Sequence, residues 1–289
     1  MRAAAPVRDG HVERGGIRVF FEVYGDGDPT VFLLMPDTIV QSRAWKAQIP
    51  FLARSSRVVV IDPRGNGRTD TPTDPAAWSD RELMDDAWAV LDEVGTVQAV
   101  LVGVCTGAGH ALMMAAQRPD RVLGVCAVNP GLPLTPPHPW KVAHDFDAEL
   151  GTDEGWAKLN RHYWGRDWTG FSEFFFDQLF PEPHSTRQRE DGVEWAAGTT
   201  VAAMLAEADA PPGHDDHAAL CRQVRCPVLV ITGSDDRCQV PERGRIVAEL
   251  TGGDLVVIDG GGHLPQARDP VLVNLLLRGL IDRVAFRRE

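Results

Sequence analysis

Short apolar runs alternate with amphipathic stretches along most of the chain. "GIRVFFEVYG" and "TVFLLM" flank the turn residues "DGDP" and read as the two strands of a hairpin. "RAWKAQIPFLARS" spaces its apolar residues as a helix does. "RVVVIDP" is a continuous apolar run, the mark of a strand buried on both faces. "SDRELMDDAWAVLDEVG" is an amphipathic helix, with Ser79 placed to cap its start and Gly95 just past its end. "QAVLVGV", "GAGHALMMAAQRP" and "VLGVCAVNP" then read as strand, helix and strand.

The rhythm breaks over residues 132–215. β-Branched runs vanish, and five tryptophans (Trp140, Trp156, Trp164, Trp168, Trp195) stand among prolines and phenylalanines. This stretch is expected to be a helical cap inserted into one α/β core made of residues 1–131 and 216–289. After it, "HAALCRQV", "CPVLVITG", "ERGRIVAELT", "GDLVVIDG" and "DPVLVNLLLRGLIDRVAF" restore the alternation. Strands alternating with helices predict a mostly parallel central sheet flanked by helices.

The formal net charge is −12, with no basic stripe to neutralise phosphates or to dock on anionic lipid, so neither nucleic acid nor a membrane surface is the expected partner. The N-terminal stretch lacks the apolar core of a signal peptide, and no run approaches the roughly 18 apolar residues of a membrane span. A cytoplasmic location is expected. Five cysteines without framework spacing suit reduced thiols. No metal site or cofactor motif stands out. "RGNGR" lacks the Lys-Ser/Thr of a phosphate loop and reads as a tight turn.

The chemistry points to "LVGVCTGAGHA". Gly103 and Gly107 bracket Cys105 where a buried strand meets a helix. A nucleophile on such a turn stands clear of the sheet, and the backbone N–H groups behind it face the site with the helix dipole. Cys126 reads instead as a packing residue. Cys238 reads as structural or exposed, with a redox role as the alternative. A base for Cys105 is available in "IDGGGHLPQARDP", which puts His263 after a buried strand. "VLVITGSDDRCQVP" ends another strand in Asp235 and Asp236, either of which could orient an imidazole.

Together these segments resemble the α/β-hydrolase fold over nearly the whole chain. "RVVVIDPRGNGRTD" resembles the loop after that family's fourth strand, "GVCTG" its elbow, and "GSDDRCQVP" and "GGGHLP" its acid and histidine loops. The resemblance implies a catalytic triad of Cys105, Asp236 and His263, with Asp236 chosen over Asp235 by its register from Gly233. Cysteine replaces the usual serine, as in a minority of the family that includes dienelactone hydrolases. Aspartate at the elbow, the mark of the family's dehalogenases, is missing. Where the family carries His-Gly before an oxyanion donor, this chain has Pro36-Asp37 and then Thr38. The implied oxyanion hole is the N–H groups of Thr106 and Thr38. Asp37 could repel an oxyanion, cap its own turn, or hold an amine or hydroxyl of the substrate.

The expected reaction is hydrolysis of an ester, lactone or thioester through an acyl-cysteine. Two alternatives stay open: acyl transfer to an amine or alcohol, and ligand binding or regulation on a hydrolase fold. The expected partner is a small acyl compound, apolar or aromatic, with Trp164, Trp168, His184 and Asp37 as candidate contacts and no cofactor or metal. The sequence leaves the oligomeric state open.

Overall fold

The computed structural model describes residues 4–35, 37–213 and 216–286. Eight strands form one sheet: β1 (Arg8–Arg14), β2 (Ile17–Tyr24), β3 (Thr30–Leu34), β4 (Arg57–Ile61), β5 (Ala99–Val104), β6 (Val122–Val128), β7 (Val228–Gly233) and β8 (Asp254–Ile258). Their spatial order is β1-β2-β4-β3-β5-β6-β7-β8, antiparallel from β1 to β4 and parallel from β4 onward.

The eleven helices among the described residues are α1 (Ile49–Leu52), α2 (Asp80–Glu93), α3 (Thr106–Gln117), α4 (Arg161–Arg166), α5 (Trp168–Leu179), α6 (Thr186–Ala196), α7 (Val201–Ala208), α8 (His217–Gln223), α9 (Glu242–Thr251), α10 (Pro265–Arg268) and α11 (Pro270–Phe286). The side-chain alternation of the strands sorts the core into two layers. Phe32, Leu34, Val59 and Leu101 face α2, α3, α8 and α9. Val31, Leu33, Val60, Val102 and Val104 share the other layer with α1, α11 and aromatic residues of α4–α6. No helix among the described residues is long and apolar enough to cross a membrane.

Two expectations are corrected. β2 and β3 do not pair as a hairpin: β2 pairs with β1 and β4, and β3 lies between β4 and β5. All five residues of β3 are buried, so the strand belongs in the middle of the sheet rather than in a ribbon. The "RAWKAQIPFLARS" helix is two short pieces, a 3₁₀ turn at Ser42–Trp45 and then α1. Pro50 has no N–H to continue a helix through this stretch, so it sits in the first turn of α1.

Between β6 and α8 the described chain forms no strand; α4–α7 and two 3₁₀ turns fill it. The expected boundary at residue 215 lies outside the described residues. Tyr163, Trp164, Phe171, Phe176, Phe180 and Trp195 of this segment are buried in one cluster with Met35, Ile39, Val104 and Cys105. The segment therefore packs over the carboxyl ends of the strands. There the strand order reverses: the chain leaves β3 for β4 on one side and returns to β5 on the other.

Candidate active site

Every residue of interest follows the carboxyl end of a strand: Asp37 and Thr38 after β3, Cys105 after β5, Asn129 after β6, Asp236 after β7, His263 after β8. Cys105 has φ 54° and ψ −122°, a strained conformation for a residue with a side chain, costing about 1–3 kcal/mol. Its own backbone helps to hold it: the Cys105 N–H donates to Val128 O at 3.0 Å, and its carbonyl accepts from Gly131 N at 2.8 Å. The flanking glycines are needed for close approach. A Cβ on Gly103 would meet Gly107 O at 2.2 Å, and one on Gly107 would meet Met35 O at 2.2 Å. This closeness brings the loop after β3 against the start of α3.

Cys105, His263 and Asp236 come together, all three buried. His263 Nδ1 is 2.7 Å from Asp236 Oδ2. The other oxygen of Asp236 accepts the N–H groups of Cys238 (2.7 Å) and Gln239 (2.9 Å), which fixes the carboxylate plane. Burial works against a charge on His263. The Asp236 charge and its hydrogen bond, with Cys105 adding to them, outweigh it and raise the imidazole to about 10. Asp235, the other aspartate of the loop, is exposed: its N–H donates to Gly261 O and its carboxylate pairs with Arg237 at 3.6 Å.

Several residues of the site carried no signal in the sequence. Asn129, with φ 42°, donates to the carbonyls of Gly262 (3.1 Å) and His263 (2.8 Å) and accepts the N–H of Gly233 (2.9 Å). It ties the acid loop to the histidine loop. Gln239 puts its amide 3.3 Å from Cys105 Sγ while Arg243 holds the amide oxygen. Lys141 reaches from the helical segment to Cys238, with Nζ 3.3 Å from both its sulfur and its carbonyl oxygen. Glu182, by contrast, stands out in the sequence with His184 as a polar group in the apolar setting of "FPEPHST"; it is buried, and its carboxylate accepts the N–H of Gly262 at 2.6 Å. A polar residue at a strand end was the only available hint for Asn129.

The oxyanion loop departs from expectation. Pro36 lies outside the described residues. Asp37 closes its turn through its backbone, its carbonyl accepting the Val40 N–H at 3.0 Å, while its carboxylate Oδ1 accepts the Thr106 hydroxyl at 2.6 Å. The Thr38 N–H is not open. It donates to both carboxyl oxygens of Glu207, at 3.1 and 3.3 Å, because α7 packs that side chain onto the loop. Burial and the neighbouring Asp37 charge raise Glu207 to about 8. The Thr106 N–H opens α3, where no helical carbonyl can accept it.

The aromatic candidates serve the interior of the helical segment. Trp164 is buried against Phe146, Trp168 and Phe171, with ring centroids 5.0, 5.9 and 5.0 Å away. Trp168 donates its indole N–H to Ala196 O at 3.2 Å. His184 is exposed at a turn with φ 64° and does not face the site. Its neighbour Glu182 points inward instead, since the turn sends the two side chains in different directions. A cavity of about 680 Å³ between the 41–50 stretch and α6 includes none of Cys105, Asp236 or His263 in its lining.

Comparison with known proteins places this geometry. The chain is 41% identical over 87 residues to epoxide hydrolase B of Mycobacterium tuberculosis, a match covering 30% of this chain and 24% of that relative. The chain thus spans only about a quarter of that relative's length, 24%. A putative carbamate hydrolase, RutD, of Caulobacter segnis is 28% identical over 240 residues, covering 80% of this chain and 83% of the relative. A solved structure described as Est816, an N-acyl homoserine lactone degrading enzyme, superposes with a TM-score of 0.72 at 25% identity, covering 93% of this chain and 99% of that one. The pattern of the alpha/beta hydrolase fold matches residues 33–270, most of the chain, and the protein belongs to that family.

Proposed function

We propose that the protein hydrolyses an ester, lactone or thioester with Cys105 as nucleophile, His263 as acid and base, and Asp236 orienting the imidazole. The observation that carries this is the buried Cys105–His263–Asp236 line, with its 2.7 Å imidazole–carboxylate contact, at a strained strand-to-helix turn. The hydrolytic and lactone-degrading relatives support the same reaction class.

His263 takes the thiol proton as Cys105 Sγ forms a bond to the acyl carbon, and the carbonyl π pair moves to oxygen. That oxyanion lies by the Thr106 N–H at the start of α3. Thr38 supplies a second donor once Glu207 gives up its N–H to the substrate oxygen. The intermediate collapses, the bond to the leaving group breaks, and the His263 imidazolium protonates the departing oxygen or sulfur. Water then attacks the thioester as His263 takes its proton. The acid leaves, and the imidazolium returns the proton to Cys105. Residues 132–215 act as a cap that excludes bulk water.

Acyl transfer is the second reading. Cys105 is only 3% exposed, and the Asp37 carboxylate beside Thr106 would suit an amine acceptor. Intact-protein mass spectrometry after brief exposure to activated esters and thioesters tests both, with Cys105→Ala in parallel. An adduct on the wild type alone that decays to free acid supports hydrolysis. Decay only with an added amine or alcohol moves the assignment to acyl transfer. No adduct, with equal iodoacetamide labelling of both proteins, refutes a nucleophilic Cys105 and favours ligand binding.

A further inference from the structure

The site holds two cysteines, and the reaction uses one. Cys238 stands on the acid loop two residues after Asp236, buried in the same cluster as Cys105, and the two thiols perturb each other's ionisation. Lys141 Nζ lies 3.3 Å from Cys238 Sγ. Gln239, the next residue, reaches Cys105 Sγ at 3.3 Å, so the acid loop is pinned onto the elbow from that side as well.

The two thiols are chemically unequal. The Cys105 thiol and the Lys141 charge hold Cys238 below the ordinary thiol range despite its burial. The same pairing, together with burial, pushes the Cys105 thiol up. Elsewhere burial pushes Cys126 up to about 12 and Cys221 and Cys226 up to about 11. A thiolate is the form that reacts with peroxides. Cys238 therefore combines a cation against its sulfur with a neighbouring thiol, whereas at Cys221 the Arg222 charge does not offset burial.

We propose that Cys105 and Cys238 form an oxidisable dithiol, in which a hydroperoxide oxidises Cys238 and Cys105 then closes a disulfide with it. The Cys238 sulfur attacks a peroxide oxygen, the O–O bond breaks, and the leaving oxygen departs as water or alcohol after taking a proton. Cys238 is now a sulfenic acid. The Cys105 sulfur attacks it, an S–S bond forms, the S–O bond breaks, and the hydroxyl leaves as water with the Cys105 proton. Two thiols and one hydroperoxide become one disulfide, one water and one water or alcohol. A dithiol reductant reverses the change. That closure also silences turnover rests on the reading of Cys105 as nucleophile; closure itself does not.

The test is hydrogen peroxide treatment of the whole protein, followed by intact mass and peptide mapping under non-reducing conditions. The wild type is expected to lose two hydrogens, with Cys105 and Cys238 linked, and ester turnover to fall at least about ten-fold and return with dithiothreitol. Cys238→Ser is expected to form no such link and to lose turnover that dithiothreitol does not restore. Cys105→Ser removes the resolving thiol, so dimedone should label Cys238. Lys141→Met in that background should slow the labelling about ten-fold. A wild type that keeps both hydrogens, a link through other cysteines, or a Cys105→Ser protein unlabelled at Cys238 overturns the proposal. The mass readouts do not depend on turnover: a disulfide in a protein with no esterase activity would sink the proposed function and leave this inference standing.

Discussion

Replacing Glu207 with glutamine isolates one titration. In the native protein the carboxyl accepts the Thr38 N–H and lies near Asp37, and its pKa rises from 4.5 to about 8. The unfolded chain ionises this group near the ordinary value, so the native state retains a proton that the unfolded state has released. The contribution of Glu207 to stability is therefore fully present below about pH 4.5 and is lost as pH rises through about 8. The gap between the two values sets a ceiling of ~5 kcal/mol on this loss. Glu207 keeps part of its surface in solvent, so a loss of ~2 kcal/mol is the expectation. Glutamine keeps an acceptor for Thr38 but has no proton to release. Urea unfolding of both proteins from about pH 5 to about pH 9 measures the effect as the wild-type minus variant difference, which cancels every other titrating group. That difference should fall by ~2 kcal/mol across the range. Parallel curves would mean that Glu207 is ionised in the native protein at neutral pH, and the account of the loop would be wrong.

Other perturbations have equally definite outcomes. Asp236→Asn should leave the amide oxygen on the Cys238 and Gln239 N–H groups and turn its NH₂ toward His263; this forces the wrong tautomer and should lower kcat about a thousand-fold or more. A steady-state loss under about ten-fold would count against the triad. Gly107→Ala drives a Cβ into Met35 O and should cost about 2–4 kcal/mol in denaturant unfolding. Asn129→Ala strips two carbonyls and one N–H of their partners; a loss of about 2–4 kcal/mol is expected by the same measurement.

The sequence revealed the strands that are buried on both faces, because a run such as residues 58–61 has no polar position to disguise it. It concealed β1, an edge strand whose "RDGHVER" mixes charges with a single valine. It also misread the partner of β3, since turn residues between two strands say nothing about which strand lies alongside in space. The elbow was legible because glycines on either side of Cys105 answer a backbone demand that is local in sequence. Glu207, Lys141 and Gln239 were not. Each looks like an ordinary surface residue of a helix or loop, and each reaches the site only because distant segments fold against it. Thr38 shows the limit from the other direction: its position could be counted along the chain, but the glutamate that occupies its N–H lies 169 residues away.

Beyond the Lys141 contact to Cys238, the helical segment is fastened to the site by two attachments that act differently. At one, Leu179 O accepts the His263 N–H at 3.0 Å and Glu182 accepts the Gly262 N–H at 2.6 Å. At the other, Glu207 holds Thr38 through hydrogen bonds to one backbone N–H. The first attachment is the pivot, because loosening it would displace the imidazole. The second is the latch, because releasing it exposes a donor that a substrate carbonyl can fill. Under the proposed reaction, admission and readiness would be one event: the movement that lets a molecule in would also free the group proposed to receive its oxygen, while the proposed proton carrier stays in place.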